Sequence, residues 1–335
     1  MALSEPQADS EHLERALELA ERGRGTTAPN PVVGAVVVRD GAVVGEGWHE
    51  RKGGPHAEVV ALAQAAGQAR GATLYVTLEP CAHHGATPPC ADAVIEAGIA
   101  RLVAAVGDPN PKTDGQGFER LREAGIEVEQ PGGELEWKAR VQNEGFRIWV
   151  ALRRPFVTYK AAVTLDGRVA AAGGDARWVS GEASRRLVHE LRARSDAVAV
   201  GMGTARRENP QLSARDVGAP SQPRRLAFGH GPLPEGSELE LLSGPLEEEL
   251  ARLADDGVQS LLLEGGPTLA GGFLRAGLID KLLLFVAPKL VGGDDAPPLF
   301  SGPAVGRLSD AIPATRLACE QVGEDLLVTA YLREP

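Results

Sequence analysis

The chain has 335 residues, of which 43% are apolar and 24% charged, and a formal net charge of −11. This length implies two domains, each able to bury its own core, and the acidic balance argues against a binder of nucleic-acid backbones, which carries a basic face. No apolar run approaches the ~20 residues that cross a bilayer, and the opening "MALSEPQADSEHLE" lacks the basic-then-apolar layout of a signal peptide. A cytoplasmic protein is therefore expected. Its three cysteines cannot all pair, and in a reducing compartment closely spaced cysteines more often bind metal or do chemistry than form a staple.

Residues 11–23 carry leucines and alanines at helical spacing and stop at Gly23, which predicts a helix. Next, "VVGAVVV" and "AVVGEGW" flank "RDG" as strand, turn and strand. A helix is expected from about His56, a strand at "ATLYVTL", a helix from about Pro89 to Ala97 and a strand at "RLVAAV". A helix at Phe118–Ala124 and a strand at "GIEVE" complete this half. A second series follows "ALRRP": strand "FVTYKAAV", helix 182–193, strands "DAVAV" and "RRLAF", and helix 246–255. Strand "SLLLE", helix 267–276, strand "KLLLFVAP" and a final strand "EDLLVTAYL" close it. Residues 213–237, rich in Pro, Gly, Ser and Arg, read as a surface loop around one short strand. Strands alternating with helices after an opening hairpin imply α/β layers around a mixed sheet, with a domain boundary near residues 148–155.

The stretch "EPCAHHGATPPC" holds Cys81 and Cys90, and the nearest upstream ligand, His56, lies in "GGPHAEVVALAQ". One nitrogen and two sulfurs leave the fourth position of a zinc ion to water, whereas structural zinc sites close all four. Glu58 follows His56 by two residues, a spacing that does not share a helix face, so it need not be a ligand. Two thiolates cancel the charge of the ion and leave its water less acidic than an all-histidine site would. A separate proton acceptor is then useful, and Glu58 is the candidate. Helix starts at His56 and just after Cys90 favour thiolate over thiol. A structural zinc knot, or two unrelated buried thiols, is the plainer alternative.

"HAE", followed by "PC" and a further cysteine, resembles the zinc nucleobase-deaminase pattern His-x-Glu, then Pro-Cys-x-x-Cys. Here eight residues rather than two separate Cys81 from Cys90. That lengthened form, within "TLEPCAHHGATPPC", resembles the bifunctional riboflavin-biosynthesis deaminase–reductases, and the likeness extends over nearly the whole chain. Pro-Asn-Pro occurs at 29–31 and 109–111; flanking prolines display each asparagine amide rigidly, and an amide that donates and accepts suits a pyrimidinone edge. Read alone, these are equally two ordinary turns. The resemblance implies that Asn30, His49, His83, Asp108 and Asn110 line the substrate pocket, with His84 a neighbour. Ala86 stands where the family usually has Lys or Arg, and His84 and Arg51 are the candidate replacements.

The second half has no Gly-x-Gly-x-x-Gly fingerprint, but "VAVGMGTARRENPQLSAR" and "LLLEGGPTLAGGFL" run from strands into glycine-rich turns. Backbone amides at a helix start favour phosphate, although Gly-Gly after a strand is also common loop chemistry. "VTYKAAVTLDGRVA", "RWVS", "LRARSDAVAVGMGT", "ENPQLSAR", "LEGGPTLAGG" and "GLIDKLLLFVAPKLVGG" resemble the reductase half of the same family. The resemblance implies NADPH contacts from Ala162, Trp178, Thr204, Glu208 and the turn opening with Gly266, Pro267 and Thr268. It implies substrate contacts from Arg192, Leu212, Arg215 and Glu264, arginines being suited to a sugar phosphate. Trp178 read alone is a core residue, and Lys160 and Asp166 serve structure as readily as contact. Glu208 replaces an expected Asp, Ala176 an expected Ser, and "LAFGHG" a strand end that normally reads Val-Asp-Ser, so Phe228 and Gly229 lose polar contacts.

The resemblance therefore implies a cytidine-deaminase-like three-layer α/β/α domain at 1–150 and a dihydrofolate-reductase-like α/β domain at 151–335. The implied function is zinc-dependent deamination of a diaminopyrimidinone ribosylamino 5′-phosphate, then NADPH reduction of ribosyl to ribityl. The ion is held by His56, Cys81 and Cys90, and Glu58 is catalytic. A deaminase-only member with a weakened reductase half, a cytidine or tRNA deaminase, and a regulatory protein with decayed pockets are the alternatives. The expected partners are a small-molecule substrate and further copies of the chain, with neither nucleic acid nor membrane. Cys319 has no place in this scheme and is expected to be a buried small hydrophobe.

Overall fold

The computed structural model describes residues 5–83, 88–110, 113–176, 179–219 and 221–335. The fold divides into two compact units, Met1–Leu152 and Arg153–Glu334, with Pro335 belonging to the first. No helix among the described residues is long and apolar enough to cross a membrane.

The first unit runs α1 (Glu5–Glu21), β1 (Gly34–Arg39), β2 (Ala42–Trp48), α2 (Ala57–Ala65), β3 (Thr73–Val76), α3 (Cys90–Ala97) and β4 (Arg101–Ala104). It ends with α4 (Gln116–Glu123), β5 (Glu127–Glu129), α5 (Gly133–Gln142) and α6 (Glu144–Leu152). The sheet order is β2-β1-β3-β4-β5, with β1 antiparallel to β2 and β3 and the remaining pairs parallel. Successive side chains on a strand point to opposite faces, and here both faces are covered. Ala35, Val37, Leu74, Val76 and Leu102 pack with α2, α3 and α4. Val36, Val38, Tyr75 and Val103 pack with α1 and Ala139 of α5. The result is three layers, helix–sheet–helix. Two close approaches set the helices on the sheet. A Cβ at Gly34 would stand 1.9 Å from the Ala16 carbonyl oxygen of α1, and one at Gly47 2.4 Å from the Ala57 carbonyl oxygen of α2. The second contact presses the start of α2 onto β2.

The second unit runs β6 (Phe156–Thr164), α7 (Glu182–Ala193), β7 (Ala197–Gly201), α8 (Met202–Glu208), β8 (Arg224–Phe228), β9 (Glu240–Leu242) and α9 (Leu246–Asp255). It continues with β10 (Ser260–Leu263), α10 (Pro267–Arg275), β11 (Lys281–Ala287), β12 (Arg316–Val322) and β13 (Asp325–Tyr331). Its sheet order is β12-β13-β11-β6-β10-β7-β8-β9, parallel from β11 to β9, with β13 antiparallel to β11 and β12 to β13. Apolar runs such as "AVAVG" of β7 are buried throughout, as a strand covered on both faces requires.

Several expectations need correction. α1 begins at Glu5, ahead of residue 11, and α5, α6, β9 and β12 were not expected. The segment after β7, read as loop, is α8; Met202 and Ala205 pack into a core with Val198 and Val200, and that tertiary contact outweighs the glycine and polar content. The short strand expected within 213–237 is present as β8, and it is an interior strand between β7 and β9 whose Leu226, Ala227 and Phe228 are buried. Cys319 is exposed, not buried: it lies on β12, an edge strand paired on one side only.

Candidate active site

His56 is the N-cap of α2, and Cys90 is the first residue of α3, after Pro89. Cys81 lies in the segment leaving β3. His56 Nδ1 is 3.0 Å from Cys90 Sγ and 3.7 Å from Cys81 Sγ, and the three ligand atoms lie within 4.8 Å of one another. Usual Zn–N and Zn–S lengths at a tetrahedral angle give an N···S edge of roughly 3.6 Å; the Cys81 pair meets it, the Cys90 pair is shorter by hydrogen bonding, and one nitrogen with two sulfurs is a donor set that suits zinc. The Cys90 backbone N–H donates to Cys81 Sγ at 3.3 Å, so the start of α3 does offer positive charge to that sulfur. Cys81 is held well below the usual thiol range, first by the Cys90 thiol and also by His56. Cys90 is pushed up, first by the same sulfur pair and then by burial. One thiol ionises readily; the second needs a cation beside it.

Glu58, in the first turn of α2, is 3% exposed, and burial pushes its carboxyl up to about 7. Its Oε2 is buried with no hydrogen-bond partner among the described residues. A bare buried oxygen beside two sulfurs and an imidazole suits an ion with its water, and it does not suit a dry core.

Asn30, His49, His56, Glu58, Cys81, His83, Asp108 and Asn110 line one pocket. His49 Nδ1 donates to the Pro55 carbonyl at 3.0 Å, which leaves Nε2 to accept from Asn30 Nδ2 at 3.3 Å. Burial lowers the His49 pKa and so keeps the neutral form this pairing needs. His83 Nδ1 is 3.4 Å from Thr113 Oγ1. Asp108 Oδ1 accepts from the Asn110 backbone N–H at 2.9 Å, and burial first, with the Glu79 carboxylate adding to it, pushes its carboxyl up to about 6. His84 and Ala86 lie outside the described residues, as does Trp178 of the second unit.

Sequence reasoning missed three contributors. Phe146 of α6 forms an apolar wall of the pocket with Val33 and Leu78. Asn143 is buried between α5 and α6; its Oδ1 accepts from the Val32 N–H and its Nδ2 donates to the Val32 carbonyl, both at 2.9 Å. This amide pair fixes the segment that carries Asn30. Glu79, beside Cys81, is buried and lines the pocket. Its signal was visible: an acid at the end of an apolar strand needs donors, and none stands near it in sequence.

In the second unit the Arg192 Nε and Nη2 bond Glu264 Oε1 and Oε2 at 2.6 and 2.9 Å, a bidentate pair, and Lys160 Nζ is 4.0 Å from Glu264 Oε2. Arg192 Nη1 also donates to the Ser213 carbonyl at 3.2 Å, and His189 Nδ1 accepts from the Arg215 amide at 3.2 Å. The loop carrying Arg215 is thus tied to α7, while the Arg215 side chain is exposed on Gln211. Leu212 is buried in a core with Val198 and Val200, so its side chain is spent on packing. At the ends of β7 and β10, the Gly201 N–H bonds the Gly265 carbonyl at 2.7 Å. Gly266 is the N-cap of α10, which opens with Pro267 and Thr268, and a Cβ on Gly266 would lie 3.2 Å from Thr204 Oγ1. These groups converge at the carboxyl ends of parallel strands, where α/β folds bind cofactors, and helix-start amides suit the phosphates of NADPH. Ala162 is half-buried on β6, and Glu208 is exposed beside Arg207. Asp166 accepts from Thr164 Oγ1 and the Val291 and Gly292 amides, which is a structural use. Phe228 packs edge-to-face on Phe273 at 5.4 Å, and a Cβ on Gly229 would crowd Met202 at 2.8 Å. The departures there are absorbed by the core.

The family model described as the RibD C-terminal domain matches residues 155–328, and that of the cytidine and deoxycytidylate deaminase zinc-binding region matches residues 6–106. Riboflavin biosynthesis protein RibD of Aquifex aeolicus is 39% identical, with 96% of this chain and 97% of that protein covered. The chain belongs to the RibD family. RibD of Mycobacterium tuberculosis is 42% identical over 95% of this chain and 96% of its own length. The solved structure of Acinetobacter baumannii RibD superposes with a TM-score of 0.85 at 37% identity, covering 98% of this chain and 99% of that one. A Thermotoga maritima structure, described as a diaminohydroxyphosphoribosylaminopyrimidine deaminase/5-amino-6-(5-phosphoribosylamino)uracil reductase, gives 0.82 at 36%, over 97% and 99%. This RibD-family chain is accordingly a deaminase–reductase of riboflavin biosynthesis, with zinc in the deaminase half and NADPH as the reductant.

Asp108 supplies a test of the pocket's electrostatics. Its folded pKa of about 6 exceeds the ordinary 3.8, so the folded chain keeps the proton longer, and its contribution to stability falls as pH rises through that window. Asp108→Asn removes this cost while retaining an acceptor oxygen for Asn110. In urea unfolding of the full chain, the variant's stability relative to wild type is expected to be roughly 1–2 kcal/mol more favourable at pH 7 than at pH 4. An equal difference at both pH values contradicts the buried-carboxyl account.

Proposed function

We propose that residues 1–150 carry out the deamination and residues 151–335 the reduction, with separate residues for each. The observation that carries the first assignment is the convergence of His56, Cys81 and Cys90 beside Glu58, whose Oε2 is buried and unpaired, in a pocket lined by amides and imidazoles. His56, Cys81 and Cys90 would hold the zinc, which when bound would activate water for attack on the amino-bearing carbon. Glu58 takes up a proton at Oε2 and delivers it to the departing ammonia; its burial favours the protonated form that this delivery needs. Asn30, whose side-chain amide neutral His49 holds in place, presents donor and acceptor groups to the pyrimidinone, and Asp108, Asn110 and His83 line the same pocket. Phe146, Val33 and Leu78 give the ring an apolar face and exclude water.

For the reductase half, Gly266, Pro267 and Thr268 with Thr204 would hold NADPH, which supplies hydride when bound, and Ala162, Trp178 and Glu208 complete the proposed contact set. Arg192, paired to Glu264, faces the substrate with Lys160 and Arg215 nearby in the fold, and Leu212 contributes through its main chain. The substrate class is a diaminopyrimidinone ribosylamino phosphate for the first step and its deaminated product for the second. We place the enzyme in the cytoplasm, where the thiols of Cys81 and Cys90 stay reduced and able to ligate.

The partner we propose is a second copy of the chain. Edge strands left open invite pairing, and one face of the β12–β13 hairpin exposes Leu317, Cys319 and Leu326. Sedimentation of the wild-type chain is expected to give a dimer or larger; a monomer at micromolar concentration contradicts this.

Glu58→Gln keeps the ligands and the shape of the site while removing the proton carrier. It is expected to retain zinc and to lose about 10²–10⁴-fold in deamination, with reduction of pre-deaminated substrate unchanged. Loss of both activities together contradicts the division into two sites.

A further inference from the structure

Glu79 lies three residues past the end of β3, directly before the Pro80–Cys81 segment, and it is 4% exposed. Its Oε1 accepts from the Gly117 and Phe118 amides at 2.9 and 3.2 Å. Its Oε2 accepts from the Gly115 and Asp108 amides at 3.1 and 3.2 Å. A carboxylate offers about four acceptor sites, and four backbone N–H groups fill them. Glu79 therefore lines the pocket without an acceptor to spare for substrate. Three of its donors belong to the start of α4, whose aligned amides favour a negative charge. The fourth belongs to Asp108, at the head of the loop that faces the pyrimidinone.

The contact is tight on the other side as well. A Cβ on Gly117 would stand 1.9 Å from the Pro80 carbonyl oxygen, so α4 rests directly on the peptide that precedes Cys81. Arg120 of α4 donates to the Ala82 carbonyl at 3.3 Å and pairs with Asp92 of α3 at 2.6 Å. Arg147 holds the same end of the Asp108 loop by donating to the Gly107 carbonyl at 3.0 Å. One carboxylate thus joins the strand end that carries Cys81 to α4 and to the loop that carries Asp108 and Asn110.

We propose that Glu79 is a positioning residue for deamination: its four-fold amide bridge sets the distance between the substrate-facing Asp108–Asn110 loop and the Cys81 side of the site. This rests on the reading above, in which Cys81 holds the ion and Asp108 and Asn110 face the substrate. Misplacement by about 1 Å of a group that orients substrate costs up to ~10²-fold, so the loop's anchor is felt in catalysis without touching the substrate. Glu79→Gln keeps the size of the side chain but turns an NH₂ toward backbone donors, which breaks about half of the bridge.

The test uses the full-length zinc enzyme and reads zinc content, deamination KM and kcat, and reduction of pre-deaminated substrate. Glu79→Gln is expected to keep one zinc per chain and unchanged reduction, with deamination KM raised about tenfold and kcat altered far less. Glu79→Asp, which keeps the charge but withdraws it by one methylene, is expected to raise KM several-fold and covers the case in which the glutamine variant does not fold. Zinc and deamination falling in proportion, with KM unchanged in the surviving activity, overturns the proposal, because Glu79 would then serve folding alone. Unchanged KM and kcat overturn it too. A wild-type chain that binds zinc but does not deaminate overturns both this role and the reading it rests on.

Discussion

The pocket of the first unit is organised by one electrostatic constraint: two sulfurs and an imidazole lie within 4.8 Å of one another, an arrangement that a dication would stabilise. Cysteines nine residues apart in sequence do not come together by local geometry. They meet because Cys81 leaves a central strand and Cys90 starts a helix packed on the same sheet face. The Cys90 amide on the Cys81 sulfur joins the two. His56 arrives from a third element, seated by the glycine contact that lets α2 lie flush on β2. The sheet brings three distant segments to within 4.8 Å, and the ion in turn makes the second thiolate affordable.

Around that centre the polar side chains divide into those that line the pocket and those that hold them. Asn30 and Asp108 sit on turns, and turns are the part of a fold least able to fix a side chain within tenths of an ångström. Each turn is pinned by a buried group from elsewhere, Asn143 for the first and Glu79 for the second. Both pins satisfy backbone groups that would otherwise be buried unpaired, so each contributes to stability and to geometry together. The second unit uses the same logic with charge: Glu264, at the end of β10, is held by both arms of Arg192 and neighboured by Lys160. A lone buried carboxylate there would be costly; paired, it is a fixed point.

Much of this was legible in the sequence because the informative features are local. His56, Glu58, Cys81 and Cys90 declare themselves by residue type and spacing, and the buried strands by unbroken apolar runs. The deaminase-side residues carried over by resemblance all fall in one pocket. What stayed hidden depends on tertiary context. α8 looked like loop because its glycine and polar residues disguise the two positions, Met202 and Ala205, that face the core. β12 reads as polar because it is an edge strand, and the same exposure defeated the expectation for Cys319. Phe146 could not be assigned to the pocket while α6 itself was unread. Glu79 stood in plain sight, but its role lies in four amides more than 25 residues away, which no spacing rule supplies.

The central claim is an ion held by one nitrogen and two sulfurs with a fourth place kept for a light, non-protein ligand. X-ray absorption at the zinc edge of the wild-type protein measures that shell directly. The account predicts two sulfurs at about 2.3 Å and two nitrogen or oxygen atoms at about 2.0–2.2 Å. A shell with one sulfur or three would contradict it.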